Sequence, residues 1–205
     1  MKNKIPQRSH ILIAAAVSGE VSGLMDRIER PVSSTVGGRK ITAGCLEGKP
    51  VKVLITGTGI VNTVQALSAA IENSKPSLII QTGCAGTFRD SGLKIGDIGI
   101  ATQEVDIHLG IEPENEELPL EELPFPLIKK NNLDIKNFYP LNQKWVDFAF
   151  QAVKTAFAPG NIRTVKGPFI TVSTITATDK RAKILYKQFS ACMENMEGSG
   201  TAHLS

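Results

Sequence analysis

The chain has 205 residues, of which 41% are hydrophobic and 21% are charged, and its net charge is +3. These values are typical of one soluble globular domain with a buried core, expected over residues 1–205. The small positive charge is scattered, with no Lys/Arg cluster interleaved with aromatic residues, so we expect no nucleic-acid partner. The cysteine count is three, which is odd, and the cysteines lack metal-ligand spacing. We therefore expect a reducing cytoplasm, no disulfide framework and no metal site.

The first predicted element is a buried strand over Ile11–Val17, a run of seven apolar residues. This run is too short to cross a membrane and has no cleavage-like flank, so we expect neither a membrane span nor export. A helix is predicted to follow, with Ser18 as its N-cap and apolar residues at helical spacing from Val21 to Ile28. Glu20 would then lie at the carboxyl end of the strand.

A hairpin, a helix and a further strand are predicted next. The hairpin joins Arg39–Leu46 to Val51–Ile55 across the turn at residues 48–50. A glycine-rich turn at 57–62 leads into a helix that ends before Pro76. The buried strand Leu78–Ile80 then runs into a second glycine-rich turn.

The second half of the chain has the same alternation after an irregular segment. A strand is predicted over Ile95–Thr102, and residues 106–140, rich in Glu and Pro, are predicted to form a surface excursion. A helix is predicted over Asn142–Phe157, a strand over Ile162–Thr174 and a short helix over Lys180–Gln188. A final apolar run follows at Ala191–Met193. Alternating strands and helices indicate an α/β fold with a largely parallel, layered sheet.

Four polar or glycine-rich turns follow predicted strands, where open α/β sheets bind ligands. They are Ser18–Glu20, Gly57–Asn62, Gly83–Gly86 and Asn195–Gly198. None is a dinucleotide fingerprint or a P-loop, so no cofactor is expected. The turn at Gly83–Gly86 could present backbone N–H groups to a ligand.

Cys84 has two interpretations. A nucleophilic cysteine needs a histidine within reach, and the sequence does not place His10, His108 or His203 near it. We therefore favour a small residue that lines a pocket.

Glu20 and Glu197 are the strongest candidates for chemistry. Each could simply complement a helix dipole from the first turn. Because both are expected beyond the carboxyl ends of buried strands, they could also face one crevice. One carboxylate would then activate water while the other binds ribose hydroxyls through charge-assisted hydrogen bonds.

Five motifs in this order resemble the nucleoside phosphorylase/nucleosidase superfamily. They lie at residues 57–62, 82–86, 96–98, 171–174 and 195–198. Within it, the chain is most similar to futalosine hydrolases, because of Thr171–Thr174 and the run Glu194-Asn195-Met196-Glu197-Gly198. Methylthioadenosine/S-adenosylhomocysteine nucleosidases are the near alternative. The resemblance implies a three-layer α/β/α fold with a mostly parallel mixed central sheet. It also implies a cytoplasmic homo-oligomer.

The resemblance implies hydrolysis of the N-ribosidic bond of a purine nucleoside, without a cofactor. For a futalosine hydrolase the released base would be hypoxanthine, in menaquinone biosynthesis. Glu20 would activate the attacking water, and Glu197 would bind the ribose 2′- and 3′-hydroxyls. The other implied substrate-binding residues are Cys84, Ala85, Gly86, Ser173, Thr174, Asn195 and Met196. Gln81 precedes Thr82 where phosphorylases carry a phosphate-binding arginine, which favours water as the nucleophile.

The resemblance also implies an aspartate that protonates the leaving purine, on a strand beyond the ribose-binding glutamate. Only eight residues follow Glu197. We therefore expect the chain as written to lack the family's last strand and helix, together with this acid. The alternative to a nucleosidase is then an inactive, truncated nucleoside-binding protein.

Overall fold

A computed structural model describes residues 9–114, 120–130, 133–158 and 160–205 of the chain. The chain forms two compact units. The first runs up to Cys84 and includes Leu204 and Ser205, and the second is Ala85–His203. The organisation of residues 1–205 as one domain stays a prediction. Among the described helices, none has the length and apolar character that a membrane crossing requires.

The first unit is built on a five-stranded mixed sheet. Its strands are β1 (Ile11–Ala15), β2 (Glu29–Val36), β3 (Arg39–Leu46), β4 (Lys49–Ile55) and β5 (Leu78–Gln81). The strand order is β2-β3-β4-β1-β5. β1 lies between β4 and β5 and is parallel to both, while β2, β3 and β4 form an antiparallel meander. The predicted hairpin and the strand at 78–80 are confirmed, whereas β2 was not predicted.

Both faces of β1 are covered, which explains its continuous apolar run. Leu12 and Ala14 pack in a cluster with helix α2 (Ile60–Asn73), and Ile13 and Ala15 pack in a second cluster. A strand buried on both faces has no position for a polar side chain. The first polar residues after β1 are therefore those of the segment that begins at Ser18.

The helix predicted to start at Ser18 is shorter than expected. A 3₁₀ turn covers Ser18–Val21, and α1 is only Ser22–Met25. Val17 occupies the N-cap position, so the prediction that Ser18 is the N-cap is wrong. Gly19 and Gly23 lower the helix propensity of this segment, and the Glu20 carboxyl group holds the chain in a tight turn.

The second unit is built on another five-stranded mixed sheet, in the order β10-β7-β11-β12-β6. The strands of this unit are β6 (Gly86–Thr87), β7 (Ile98–Asp106), β8 (Ile128–Lys130), β9 (Leu133–Ile135), β10 (Phe138–Pro140), β11 (Thr164–Thr171) and β12 (Met193–Asn195). β7, β11 and β12 are parallel at the centre, and the edge strands β10 and β6 are antiparallel. The strands β8 and β9 form a separate hairpin. The α/β class is confirmed in both units.

Three helices complete the second unit: α3 (Gln143–Ala156), α4 (Asp179–Phe189) and α5 (Gly198–His203). α3 and α4 confirm the predicted helices to within one residue. The Asn142 side chain caps α3 by accepting hydrogen bonds from the backbone N–H of Lys144 and Trp145. Thr178 caps α4 in the same way.

Part of segment 106–140, predicted as a surface excursion, belongs to this sheet. β10 pairs with β7, and Tyr139 within it is only 3% exposed. The backbone of Asp106 is also bonded to Asn137. Of the acidic residues at 112–122 that suggested an excursion, Glu116 and Glu117 lie outside the described residues, as do residues 131 and 132.

Candidate functional site

Glu20 is held in place by three backbone N–H groups. Its Oε2 accepts hydrogen bonds from the N–H of Ala16 at 2.9 Å and of Val17 at 3.1 Å, and its Oε1 accepts one from Cys84 at 2.9 Å. β1 and β5 are adjacent and parallel, so the segments after them meet at one edge of the first sheet. These three donors fix the carboxylate in one orientation. This fixed orientation suits a group that receives a proton from a bound water.

Gly83 is required for this arrangement. A Cβ atom at this position would lie 2.7 Å from Oε1 of Glu20, closer than van der Waals contact allows. The absence of a side chain lets the turn after β5 approach the carboxylate, so that the Cys84 N–H reaches it. Cys84 itself is a free, exposed cysteine. Its described role is therefore a backbone contact to Glu20.

In the second unit, Asn195 organises the turn that carries Met196 and Glu197. Its Oδ1 accepts hydrogen bonds from the N–H of Glu197 at 2.9 Å and of Gly198 at 2.6 Å. These two hydrogen bonds fix the conformation of the turn between β12 and α5. The Glu197 side chain is buried at 8% exposure, and its Oε2 accepts a hydrogen bond from the Met196 N–H at 3.2 Å.

A buried carboxyl group, Glu104 of β7, lies directly beneath this turn. It accepts hydrogen bonds from Nδ2 of Asn195 at 3.0 and 3.1 Å and from the hydroxyl of Thr171 at 2.9 Å. The Thr171 hydroxyl also accepts the N–H of Ser199 at 2.8 Å. Glu104 thus holds the Asn195 amide in the one orientation that leaves Oδ1 free to cap the turn.

Burial raises the pKa of Glu104 to about 7, and the nearby Glu197 carboxylate adds to the rise. The hydrogen bonds from Asn195 and Thr171 oppose it. The folded protein therefore binds this proton more tightly than the unfolded chain does. The stability contributed by this group is fully present below the ordinary pKa of 4.5 and is lost as the pH rises through about 7.

We therefore expect Glu104→Gln to flatten the pH dependence of folding stability. In the wild type, this group should lower the free energy of unfolding by about 3 kcal/mol between pH 4.5 and pH 8. The glutamine variant does not titrate and should lack this decline. Urea unfolding of both proteins at pH 5, 6, 7 and 8 measures the difference. Parallel stability profiles would contradict the assignment of the proton to Glu104.

The predicted residues Ser173 and Thr174 lie just beyond β11. Both are exposed, and the Ser173 N–H donates a hydrogen bond to Nδ1 of His108 at 2.9 Å. Ala85 and Gly86 are also exposed, at the start of the second unit. Gly86 pairs with Glu194 of β12.

The structure brings Glu20 and Cys84 together in the first unit and Asn195, Met196 and Glu197 together in the second. That Glu20 and Glu197 act at one site stays a prediction. Over the described ranges, no group of three or more His, Cys, Asp and Glu residues is arranged to hold a metal ion.

The supporting residues Glu104, His108 and Glu194 were not predicted as site residues. Glu104 lies two residues past the predicted end of its strand, at Thr102. The available signal was the two carboxyl groups on either side of Val105, Glu104 and Asp106, because a buried carboxyl group needs dedicated partners. His108 was considered only as a partner for Cys84, and Glu194 only as part of a motif.

Comparisons with known proteins identify relatives of this chain. A 5′-methylthioadenosine/S-adenosylhomocysteine nucleosidase of Bacillus cereus is 38% identical over 93 residues, which are 45% of this chain and 40% of the relative. The match therefore spans well under half of that curated relative's length.

Two solved structures share the fold. A 5′-methylthioadenosine/S-adenosylhomocysteine nucleosidase of Neisseria meningitidis, in complex with methylthio-immucillin-A, matches with a TM-score of 0.78 at 19% identity. The match covers 95% of this chain and 78% of that one. A futalosine hydrolase mutant of Helicobacter pylori matches with a TM-score of 0.77 at 18% identity, covering 97% of this chain and 84% of that one. The likeness confirms the predicted α/β/α fold class.

The family assignment rests on nearly the whole described chain. The sequence profile of the phosphorylase superfamily matches residues 10–205, which include the turns that carry Glu20, Cys84, Asn195 and Glu197. The resemblance inferred from the motifs is therefore confirmed, and this chain belongs to the phosphorylase superfamily.

Proposed function

We propose that this protein hydrolyses the N-ribosidic bond of a purine nucleoside. The observation that carries the proposal is the Glu20 carboxylate, which three backbone N–H groups hold in one orientation at the end of β1. A carboxylate with a fixed orientation is suited to take a proton from an attacking water. Hydrolysis is favoured over phosphorolysis because Gln81 stands where the resemblance places a phosphate-binding arginine in phosphorylases.

In the proposed reaction, the oxygen of water forms a bond to C1′ of the ribose while the bond from C1′ to the base nitrogen breaks. The bonding electron pair leaves with the base, which takes up a proton from the solvent, and Glu20 receives the proton that the attacking water loses. The transition state resembles a ribosyl oxocarbenium ion, as in inverting glycosidases. Placing a negative charge beside this positive centre lowers the barrier.

Glu197 is proposed to bind the ribose 2′- and 3′-hydroxyls. Hydrogen bonds from these hydroxyls to a carboxylate strengthen as positive charge develops on the ring, so they stabilise the transition state more than the substrate. The capping of this turn by Asn195, itself held by Glu104, supports the role because it fixes where Glu197 lies.

We propose 5′-methylthioadenosine and S-adenosylhomocysteine as substrates. The curated relative with 38% identity is a nucleosidase for these two compounds, and so is the Neisseria meningitidis protein that shares the fold. Futalosine is the second candidate. It is supported by the run from Glu194 to Gly198 and by the fold shared with a futalosine hydrolase.

The test is release of free base from 5′-methylthioadenosine, S-adenosylhomocysteine and futalosine by the purified protein, measured by chromatography. Each reaction is run with and without inorganic phosphate. We expect adenine from the first two substrates at a rate that phosphate does not change, with free sugar as the second product. Hypoxanthine from futalosine alone would select the second candidate.

Glu197→Gln provides the matched variant, since it retains size and one acceptor oxygen but removes the charge. We expect its kcat/KM to fall about 10- to 100-fold, because one charge-assisted hydrogen bond contributes about 1.5–3 kcal/mol. Base release only in the presence of phosphate, or none from any of the three substrates, would overturn the proposed function.

A further inference from the structure

The segment Ser173–Thr176 leaves the second sheet after β11 and reaches α4 without forming regular structure. The last backbone–backbone hydrogen bond to the sheet before this segment is made by the N–H of Val172, which donates to the carbonyl of Asn195 at 2.8 Å. Beyond this point Ser173 and Thr174 are exposed and Thr176 is half-buried, and the apolar side chain of Ile175 is 67% accessible to solvent. An exposed segment of this kind needs other contacts to keep one conformation.

One contact comes from His108, at the start of the segment. The N–H of Ser173 donates to Nδ1 of His108 at 2.9 Å, so the neutral ring carries its proton on Nε2. The backbone N–H of His108 donates in turn to Oδ1 of Asp106 at 3.0 Å, which fixes the residue at the end of β7. Nη2 of Arg181, on α4, lies 3.5 Å from Nε2.

The second contact comes from Glu194, at the end of the segment. The N–H of Thr176 donates to Oε1 of Glu194 at 3.1 Å. Glu194 lies in β12, paired on one side with Ile170 of β11 and on the other with Gly86 of β6. A Cβ atom at Gly86 would lie 3.1 Å from Cγ of Glu194, so this glycine makes room for the side chain.

Glu194 does little else for the fold. Its side chain is 8% exposed, and across the described part of the chain its Oε2 has no hydrogen-bond partner. Burying a carboxyl group with one oxygen unpaired costs folding free energy. A residue that is unfavourable for folding and contacts an exposed segment is better explained by the conformation that it gives to this segment.

We propose that His108 and Glu194 are positioning residues that fix both ends of Ser173–Thr176, and that this segment determines how tightly the purine base is bound. The second part rests on the proposed function, together with the resemblance that implies Ser173 and Thr174 as substrate-binding residues. Both contacts are made to backbone N–H groups of the segment. They therefore fix its backbone conformation independently of its side chains. Their loss should weaken binding of the base and leave the chemistry at the ribose largely unchanged.

His108 makes the contact dependent on pH. Burial lowers the pKa of this imidazole, the positive charge of Arg181 lowers it further, and the negative charge of Asp106 opposes both. At neutral pH the ring is therefore neutral and Nδ1 can accept the Ser173 N–H. Protonation at acidic pH places a hydrogen on Nδ1, and the contact is lost.

The experiment compares two pairs of variants of the full chain. His108→Ala and Glu194→Ala remove the acceptors, whereas His108→Asn and Glu194→Gln keep an acceptor oxygen near Nδ1 and Oε1. We expect each alanine variant to raise KM for the nucleoside about 3- to 10-fold, the effect of one lost hydrogen bond, with kcat changed less than about twofold. The asparagine and glutamine variants should restore KM. As the pH falls below 6.5, the ordinary pKa of an imidazole, KM should rise for the wild type but not for His108→Asn.

Amide hydrogen exchange, measured by NMR without a substrate, tests the positioning independently of the proposed function. Exchange should accelerate at Ser173 in His108→Ala and at Thr176 in Glu194→Ala, and return to the wild-type rate in the conservative variants. Unchanged exchange at both amides would overturn the positioning role. Faster exchange without a rise in KM would overturn the link to base binding, and absence of base release by the wild type would count against the proposed function alone.

Discussion

Replacing Glu20 with glutamine is expected to lower kcat for base release about 10²- to 10⁴-fold, the usual contribution of a general base. The carboxylate accepts three backbone N–H groups, from Ala16, Val17 and Cys84. A glutamine can accept only through its oxygen, so its NH₂ group must face at least one of these donors. The variant therefore loses both the negative charge and the fixed orientation of the side chain. Steady-state kinetics with the preferred nucleoside measure the effect.

Asp26→Asn is the matched control, because it removes an exposed carboxylate from the same region of the chain. This control should keep wild-type kcat and KM. Circular dichroism should show that Glu20→Gln remains folded, so that the loss is assigned to chemistry. A glutamine variant that retains more than about one third of the wild-type kcat would show that Glu20 is not the base.

Replacing Gly198 with alanine is expected to destabilise the protein by about 1–3 kcal/mol, as overpacking in a core usually does. A Cβ atom at this position would overlap the carboxyl group of Glu104. This carboxyl group cannot move freely, because Asn195 and Thr171 both hold it. The turn with Met196 and Glu197 should therefore shift, and KM should rise with the loss of stability. Urea unfolding and steady-state kinetics measure the two effects.

A double-mutant cycle with Glu104→Ala separates the clash from other effects of the added methyl group. Without the Glu104 carboxyl group, Gly198→Ala should lower the free energy of unfolding much less, since the atoms that the new methyl group would overlap are gone. Gly23→Ala is the control for glycine replacement, because no atom lies within 4 Å of the Cβ built there. Additive costs for Gly198→Ala and Glu104→Ala would show that the two groups do not meet.

The local pattern of the sequence was sufficient for most secondary structure. The apolar run starting at Ile11 forms β1 because a strand with two covered faces needs apolar residues throughout. The helix ending before Pro76 and the helix capped by Asn142 follow from signals that lie within a few residues of each end. The prediction of a helix from Ser18 was wrong because the Glu20 carboxyl group accepts hydrogen bonds from the backbone before it. Helix propensity does not take such a contact into account.

The sequence alone identified the family and its candidate residues, because glycine-rich turns and carboxyl groups after strands form short, recognisable sequence motifs. The sequence could not reveal which hydrogen-bond partners fix the side chains of these residues. Glu104 meets Asn195 from a position 91 residues away, and Cys84 meets Glu20 from 64 residues away.

Strand pairing decides such contacts. Glu104, Thr171 and Asn195 converge because β7, β11 and β12 are neighbours in one parallel register. Gly83 and Gly198 are required only because a carboxyl group from elsewhere in the chain lies against each of them. The sequence by itself thus determined the family and most of the helices and strands, since both are encoded locally. Only the tertiary structure decided which carboxyl groups are fixed, buried or raised in pKa, because these properties depend on neighbours that the fold brings together.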